Sequence, residues 1–307
     1  MEAKKKKRTV LKVFGIAFLL LILAGGAFAF SVWKNVSDTA DTMHKPLNRT
    51  TEKRTEKLDL EKKSPFTVLL LGVDEREGDK GRSDTMIVLS VNPSKTKIKM
   101  LSIPRDTRTE MIGKGFDDKI NHAYAFGGPE MSMATVENLL DIPLDYYVKI
   151  NMEGFKDIVD AVDGVTVNNT TAFTYDGTTF NEGFINLNGD EALKYARMRK
   201  QDKDGDFGRQ NRQRQVIQSI IKKGANVSSL TKYDDILEAL GKNIETNLSL
   251  SEMMDIQKNY RNAAGGIDQM QLKGENARID NISYVIIPEE EIEIVQKELK
   301  DYLEIKE

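Results

Sequence analysis

The chain has 307 residues, 39% of them hydrophobic and 30% charged, which is the balance of a globular protein and excludes whole-chain disorder. It holds no cysteine and two histidines, His44 and His122, which excludes disulfide frameworks, thiolate zinc sites and cysteine nucleophiles and leaves oxygen ligands for any metal. The net charge of -3 divides unevenly: residues 1–63 carry 14 Lys+Arg and 7 Asp+Glu, a sum of +7, so the remainder carries -10. An acidic body argues against nucleic acid as a partner.

Lys4, Lys5, Lys6, Lys7 and Arg8 precede 21 uncharged residues, Val13 to Trp33. At about 1.5 Å per residue that run reaches roughly 30 Å, the thickness of a bilayer's hydrocarbon core. The pattern predicts a cytoplasmic tail (1–12), one membrane helix (13–33) anchored by Trp33, and a C-terminal part outside the cell. That is a single-pass type II protein of the cell membrane. The competing reading is a cleavable signal peptide ending at Ala27-Phe28-Ala29, but the apolar run exceeds the ~7–15 residues usual for one. Residues 34–63 are polar, without apolar periodicity, and read as an extracellular tether; the folded body (64–307) is expected to start at Ser64.

Phe66–Gly72 (FTVLLLG) is a continuous apolar run suited to a strand buried on both faces. Thr85–Val91 and Ile98–Ile103 are two more, joined by Asn92-Pro93-Ser94-Lys95, turn residues that favour an antiparallel hairpin. Tyr146–Ile150 and Ser283–Ile287 read as further strands. Helices are expected over Pro129–Leu140, Glu153–Val162 and Gly208–Lys223, with others within 232–262 and 290–304. Strands interleaved with helices predict an α/β fold, a mixed central sheet sandwiched by helices (α/β/α).

The hairpin brings Arg82 and Asp84, before its first strand, to the same sheet edge as Arg105 and Asp106, after its second. If Phe66–Gly72 runs parallel to Ile98–Ile103, Asp74 arrives there too, and strand-end crevices are where open α/β sheets bind ligands. A second concentration is Lys194–Arg214, with eight basic and three acidic residues inside the acidic body. On the helix there, Arg209, Gln213, Val216 or Ile217, and Ile220 recur every three to four residues, which points Arg209 and Gln213 inward. An inward arginine at a helix start beside Gly205 and Gly208 suits an anion, with Asp206 orienting the arginines or capping the helix. Arg212 and Arg214 fall off the stripe and read as solvated, as do Glu75, Arg76, Glu77, Asp79 and Lys80. Asp202, Asp204 and Asp206 lack the twelve-position pattern of a calcium loop. His122 reads as packed or hydrogen-bonded, and Asn188 or Asp190 as a helix cap.

The segments LLLGVDER (69–76), RSDTMIVLSV (82–91), LSIPRDT (101–107), INHAYAFGG (120–128), YARMRK (195–200) and DGDFGRQNRQRQV (204–216) resemble, in order and spacing, the blocks of the LytR-CpsA-Psr family of cell-wall glycopolymer transferases. The resemblance covers about Phe66 to Leu230 and is similar in layout beyond. It implies a phosphotransferase like the wall teichoic acid ligases of Gram-positive bacteria. Such an enzyme moves an anionic glycopolymer from a polyprenyl-pyrophosphate carrier to a peptidoglycan hydroxyl, the C6 hydroxyl of N-acetylmuramic acid, forming a phosphodiester. By motif match the resemblance implies Asp74 and Asp84 as Mg2+ ligands and Arg82, Arg105, Arg197, Arg199 and Arg209 around the pyrophosphate. Asp206 and Gln213 belong to the same shell. The implied catalytic set is Asp84, Arg105, Asp106 and Asp206, with Asp84 and Asp106 both open as acceptor of the hydroxyl proton. The phosphoanhydride in such a donor makes ATP unnecessary, in keeping with a sequence that has no P-loop motif. The rival readings are a wall regulator that binds polyprenyl pyrophosphate without turnover and a pyrophosphatase. A DNA-binding attenuator is disfavoured by the expected outside location.

Overall fold

The computed structural model describes residues 30–49, 51, 53–54, 56–75, 81–199, 201–224 and 240–305. The basic tail and residues 13–29 of the expected membrane span lie outside them, as do Arg76, Glu77, Asp79 and Lys80. Among the described residues no helix is long and apolar enough to cross a membrane.

The body is built on strands β1 (Phe66–Val73), β2 (Ser83–Val91) and β3 (Ile98–Ile103), followed by a small hairpin of β4 (Arg108–Glu110) and β5 (Asp117–Lys119). Then come α2 (His122–Leu140), β6 (Tyr146–Asn151) and α3 (Met152–Ala161). The next elements are β7 (Val165–Asn169), β8 (Phe173–Tyr175), β9 (Thr178–Phe180), β10 (Gly183–Leu187), α4 (Gly189–Arg197) and α5 (Gly205–Gly224). Residues 240–243 are helical (α6) and lead into β11 (Ile244–Thr246) and α7 (Leu250–Asn259). The chain closes with β12 (Ile267–Gln271), a hairpin of β13 (Glu275–Ile279) and β14 (Ile282–Ile286), and α8 (Glu289–Leu303). A first helix, α1, occupies residues 30–43.

The central sheet has the order β11-β6-β1-β2-β3-β12 and is mixed, as expected. The β2–β3 hairpin pairs Met86 with Ile103 and Ser90 with Lys99. β1 is buried on both faces because its alternate residues meet different layers. Leu69, Leu71 and Val73 pack with Met133, Val136 and Leu140 of α2 and Leu299 of α8. Phe66 and Val68 pack with Leu248 and, through α7, Met253 and Ile256. Burying each of these aliphatic side chains contributes roughly 1.5–3 kcal/mol before chain entropy is counted. β11 and β12 were not foreseen, because IET and IDQMQ are edge strands with mixed polar content, which blunts an edge but erases the apolar signal. The Ser283–Ile287 strand exists but lies in its own hairpin, joined to the Arg105 loop by the backbone of Val285, which donates to the carbonyl of Asp106. The regular part of α2 starts at Pro129, after a break at Gly127 and Gly128.

The stretch expected to be a tether is instead seated on the body. After α1, His44 forms a β-bridge with Thr246. Arg49 and Thr51 meet Glu137, Arg54 grips both oxygens of Asp145 at 2.7 and 2.6 Å, and Leu60 is buried beside Phe66 and Val68. The physical reason is that Arg49, Lys53 and Arg54 meet Glu137, Asp141 and Asp145 of the body through contacts dozens of residues apart in sequence, which no local periodicity reveals.

Candidate active site

β1 and β3 are both antiparallel to β2, β6 is parallel to β1, and β12 is parallel to β3. The C-terminal ends of those four strands therefore share one edge with the start of β2. There Gly72 pairs with Thr85 and Val73 with Ser83 across a bulge, so Asp74 and Asp84 flank the same junction. Gly81, at φ 69°, holds it closed: an added Cβ would sit 2.5 Å from the carbonyl oxygen of Asp74, so only glycine lets the returning chain come this near.

Arg105 leaves the end of β3 and donates from Nη1 to Asp84 Oδ1 at 2.7 Å. Asp106 lies 3.9 Å from Arg105 Nε and accepts from Lys119 Nζ at 2.8 Å. From the other side α5 carries Arg209, which is 7% exposed and reaches Asp206 Oδ1 at 2.7 Å. α5 is held in place by a second apolar cluster in which Val216 packs with Val165, Val167, Phe173 and Tyr195. Arg105 and Arg209 face each other across a cavity of about 710 Å³ whose wall includes Arg197, Arg199 and Tyr175. Gln213 lines a cleft with Asp84, Arg105 and Arg209.

The electrostatics of the two inner arginines differ. Burial opposes the charge on Arg105, but Asp84, Asp106 and Asp206 together outweigh it, so its pKa lies above the ordinary arginine value. Arg209 is shifted down, chiefly by burial and further by the like charges of Arg105 and Arg199, against which Asp206 and Asp84 do not fully compensate. The Nε–H groups of both arginines are buried without a hydrogen-bond acceptor among the described residues. A buried donor without a partner costs roughly 1–3 kcal/mol, and a multiply charged anion in the cavity would satisfy both.

Of the expected site residues, the structure gathers Asp84, Arg105, Asp106, Arg197, Arg199, Asp206, Arg209 and Gln213 at this edge. Asp74 reaches the edge through the strand register; Arg82 is exposed at the start of β2 and is not part of the cavity wall. Tyr175 and Lys119 join the site without a sequence signal, since both come from short strands of low apolar content. Three expectations are corrected. Arg212 and Arg214, expected to be solvated, are both 6% exposed. Arg212 donates to the carbonyls of Tyr195 and Met198 and pairs with Asp202, while Arg214 donates to Gln269 at 3.1 Å. Arginine's long stem let both reach inward from off the apolar stripe. Glu75 is not merely solvated: it accepts from Tyr124 and from the buried Lys149. Asp206 pairs with Arg209 and Asp202 with Arg212. His122 is hydrogen-bonded through Nδ1 to Asp118 at 2.6 Å, and Asn188 caps α4 in a capping box with Glu191.

Comparison with known proteins gives the same picture. The LytR_cpsA_psr family model matches residues 30–301. The chain is 50% identical over 303 residues to the polyisoprenyl-teichoic acid--peptidoglycan teichoic acid transferase TagU of Bacillus subtilis (strain 168), covering 99% of each sequence. The transferase of the same name from Halalkalibacterium halodurans is 52% identical over 302 residues, with 97% and 99% covered. Among solved structures, B. subtilis TagU superposes with a TM-score of 0.64 at 52% identity, covering 80% of this chain and 99% of that one. TagT bound to LI-WTA superposes at 0.72 with 32% identity, covering 85% and 100%. A protein described as a transcriptional regulator of Enterococcus faecalis superposes at 0.75 with 42% identity, covering 82% and 92%. With the family model matching residues 30–301 and relatives 50% and 52% identical over nearly the whole of both sequences, the chain belongs to the LytR_cpsA_psr family.

Proposed function

We propose that this chain is a transferase that moves a teichoic acid from a polyisoprenyl-pyrophosphate carrier onto a hydroxyl of peptidoglycan. The observation that carries the reading is the cavity where Arg105, Arg197, Arg199 and Arg209 converge, with the Nε–H donors of Arg105 and Arg209 buried and without an acceptor among the described residues. In phosphoryl transfer the protein's work is mainly positioning and stabilising charge on the equatorial and leaving oxygens, and planar guanidinium forks do both. The acceptor hydroxyl gives its proton to Asp84 or Asp106 as its oxygen bonds to phosphorus, the bond to the carrier phosphate breaks, and the carrier phosphate leaves into the arginine cradle. Asp84 and Asp106 already accept from Arg105 and Lys119, which orients them toward the same edge.

Asp74 and Asp84 are the residues that would hold Mg2+. They flank one junction of the strand edge, and two carboxylates suit an ion that completes its shell with substrate phosphates and water. Such an ion would neutralise charge on the phosphate oxygens. The experiment combines both points: full-length protein, a lipid-linked teichoic acid donor and glycan strands are incubated, and products are analysed. A new phosphodiester on glycan is expected, together with loss of most metal-dependent transfer in Asp74→Ala at an unchanged melting temperature. Released free polymer phosphate with no ligation would establish a hydrolase, and binding with no turnover a regulator.

The same reading includes anchorage by the N-terminal apolar run with the body outside the cell. Thr39 lies against Gly241, just before β11, and His44 bridges Thr246 further along that strand, so α1 leaves the body on the arginine side. Phe30 and Trp33 on α1 are exposed, as interfacial aromatics would be. That side is where a lipid-linked donor would emerge from the outer leaflet. Protease added to intact protoplasts should digest the body; complete protection would refute the orientation.

A further inference from the structure

Outside the arginine cavity, the described surface carries a pair of exposed aromatic rings in contact. Phe116, 47% exposed, and Phe126, 40% exposed, meet edge to face with centroids 6.0 Å apart. Their exposure is built into the backbone. Phe116 ends the turn between β4 and β5, where the N–H of Met111 donates to the carbonyl of Phe116 and the N–H of Lys114 to that of Met111, both at 2.9 Å. Met111 is fully buried and anchors the turn, while Gly113 and Gly115 take the positive φ angles of 82° and 72° that bend it. Phe126 stands on α2 just before the Gly127–Gly128 break. Lys114 Nζ lies 5.7 Å from the centroid of Phe126, and the His122 ring 6.1 Å. An exposed apolar pair held this firmly and rimmed by polar groups marks a binding surface.

Its place in the fold ties it to the cavity. The hairpin grows directly from the Arg105 loop: Ile120 N–H donates to the carbonyl of Thr107 at 2.8 Å, Asn121 N–H to that of Arg105 at 3.2 Å, and Lys119 Nζ to Asp106. The register runs from Arg108↔Lys119 at the base to Glu110↔Asp117 at the tip, roughly 7 Å along the strand. Phe116, with Phe126 against it, thus stands at the tip of a short hairpin whose base is hydrogen-bonded to the Arg105 loop.

We infer that Phe116 and Phe126 form the acceptor subsite, a shelf on which a sugar of the peptidoglycan glycan lies while a neighbouring hydroxyl is presented to the phosphorus at Arg105. This rests on the transferase reading above. A sugar ring offers an apolar C–H face to aromatic rings and a girdle of hydroxyls to a polar rim. The rim matches that: His122 is held through Nδ1 by Asp118, which leaves Nε2 for a hydroxyl that can either donate or accept, and Arg108 pairs with Asp117 at 2.7 Å. Lys114 adds a cation suited to the carboxylates of stem peptides. A bilayer suits the patch less well, because residues 108–119 set three acidic side chains, Glu110, Asp117 and Asp118, against three basic ones, Arg108, Lys114 and Lys119, and leave no net charge to hold an anionic leaflet.

The test measures initial transfer rates by the full-length protein against concentration of uncrosslinked glycan strands at saturating donor. Phe116→Ala and Phe126→Ala should raise the acceptor KM about three- to tenfold each, with donor affinity and melting temperature unchanged. An unchanged acceptor KM in both overturns the subsite. So does an unchanged KM joined to lost adsorption on anionic phospholipid vesicles, which would assign the shelf to the membrane. If wild-type protein transfers nothing, the transferase reading fails; glycan-strand binding by wild type against Phe116→Ala then still decides the shelf, and equal binding overturns it.

Discussion

Replacing Arg209 with alanine should weaken binding of a polyprenyl-pyrophosphate donor roughly 10- to 150-fold, the value of one charge-assisted contact of ~1.5–3 kcal/mol, and leave the melting temperature close to wild type. The first half follows from position. Arg209 projects from α5 into the cavity opposite Arg105, and its buried Nε–H has no acceptor among the described residues. The second half follows from the direction of its pKa. Burial and the neighbouring charges of Arg105 and Arg199 disfavour the charged guanidinium in the folded protein, so removing it also removes an unfavourable charge. Asp206 is the partner left behind: its Oδ2 still accepts from Gln210, its side chain is 25% exposed, and truncation of Arg209 opens its buried Oδ1 to the water of the cavity. Isothermal titration with donor and a thermal melt on the same preparation separate the two effects. A variant that melted far below wild type yet bound donor with wild-type affinity when folded would show Arg209 to be a structural ion pair.

Much of this site was legible because it depends on strand direction. The turn at Asn92–Lys95 dictated that Asp84 and Arg105 share an edge, and the structure joins them by a hydrogen bond. The three- to four-residue stripe on α5 correctly turned Arg209 inward. What escaped the sequence has a common physical cause. The docking of Arg49 and Arg54, the Glu75–Lys149 pair and the burial of Arg212 all rest on polar contacts between separate segments, and a polar residue carries no periodic signal of its partner. β4, β5, β8 and β9 are three residues each, too short to alternate, and they bring Lys119 and Tyr175 to the site unannounced. The magnesium ligands and the pyrophosphate came from the resemblance alone.

Arg212, three residues further along α5, should behave in the opposite way to Arg209. Arg212→Ala is expected to cost about 3–5 kcal/mol of stability, the usual effect of removing one partner of a buried pair. In a body of this size that lowers the melting temperature by roughly 6–20 °C. The guanidinium donates through Nε to the carbonyl of Tyr195 at 3.0 Å, through Nη2 to the carbonyl of Met198, and through Nη1 to Asp202. Its plane also lies 5.5 Å from the Phe173 ring and 5.9 Å from that of Tyr195. No small side chain replaces three donors and a stacked cation, and lysine, a point charge without the fork, should recover only part of the loss. The effect has a pH signature. Burial alone would raise the Asp202 pKa, but the bond from Arg212 and the N–H of Asp204 outweigh it and hold the carboxyl below the ordinary range. A depressed folded pKa contributes stability above the unfolded value of about 3.9, which is lost as pH falls through the folded value. The difference between wild type and Arg212→Ala should therefore be full at neutral pH and shrink below about pH 4. Arg212 does not itself line the arginine cavity and meets its wall only through Asp202, so donor affinity of the folded variant, measured well below its melting temperature, should stay within about threefold of wild type. A melting temperature within about 2 °C of wild type, far less than the loss of a buried charge pair implies, would show that the pair around Asp202 does not hold α4 and α5 together.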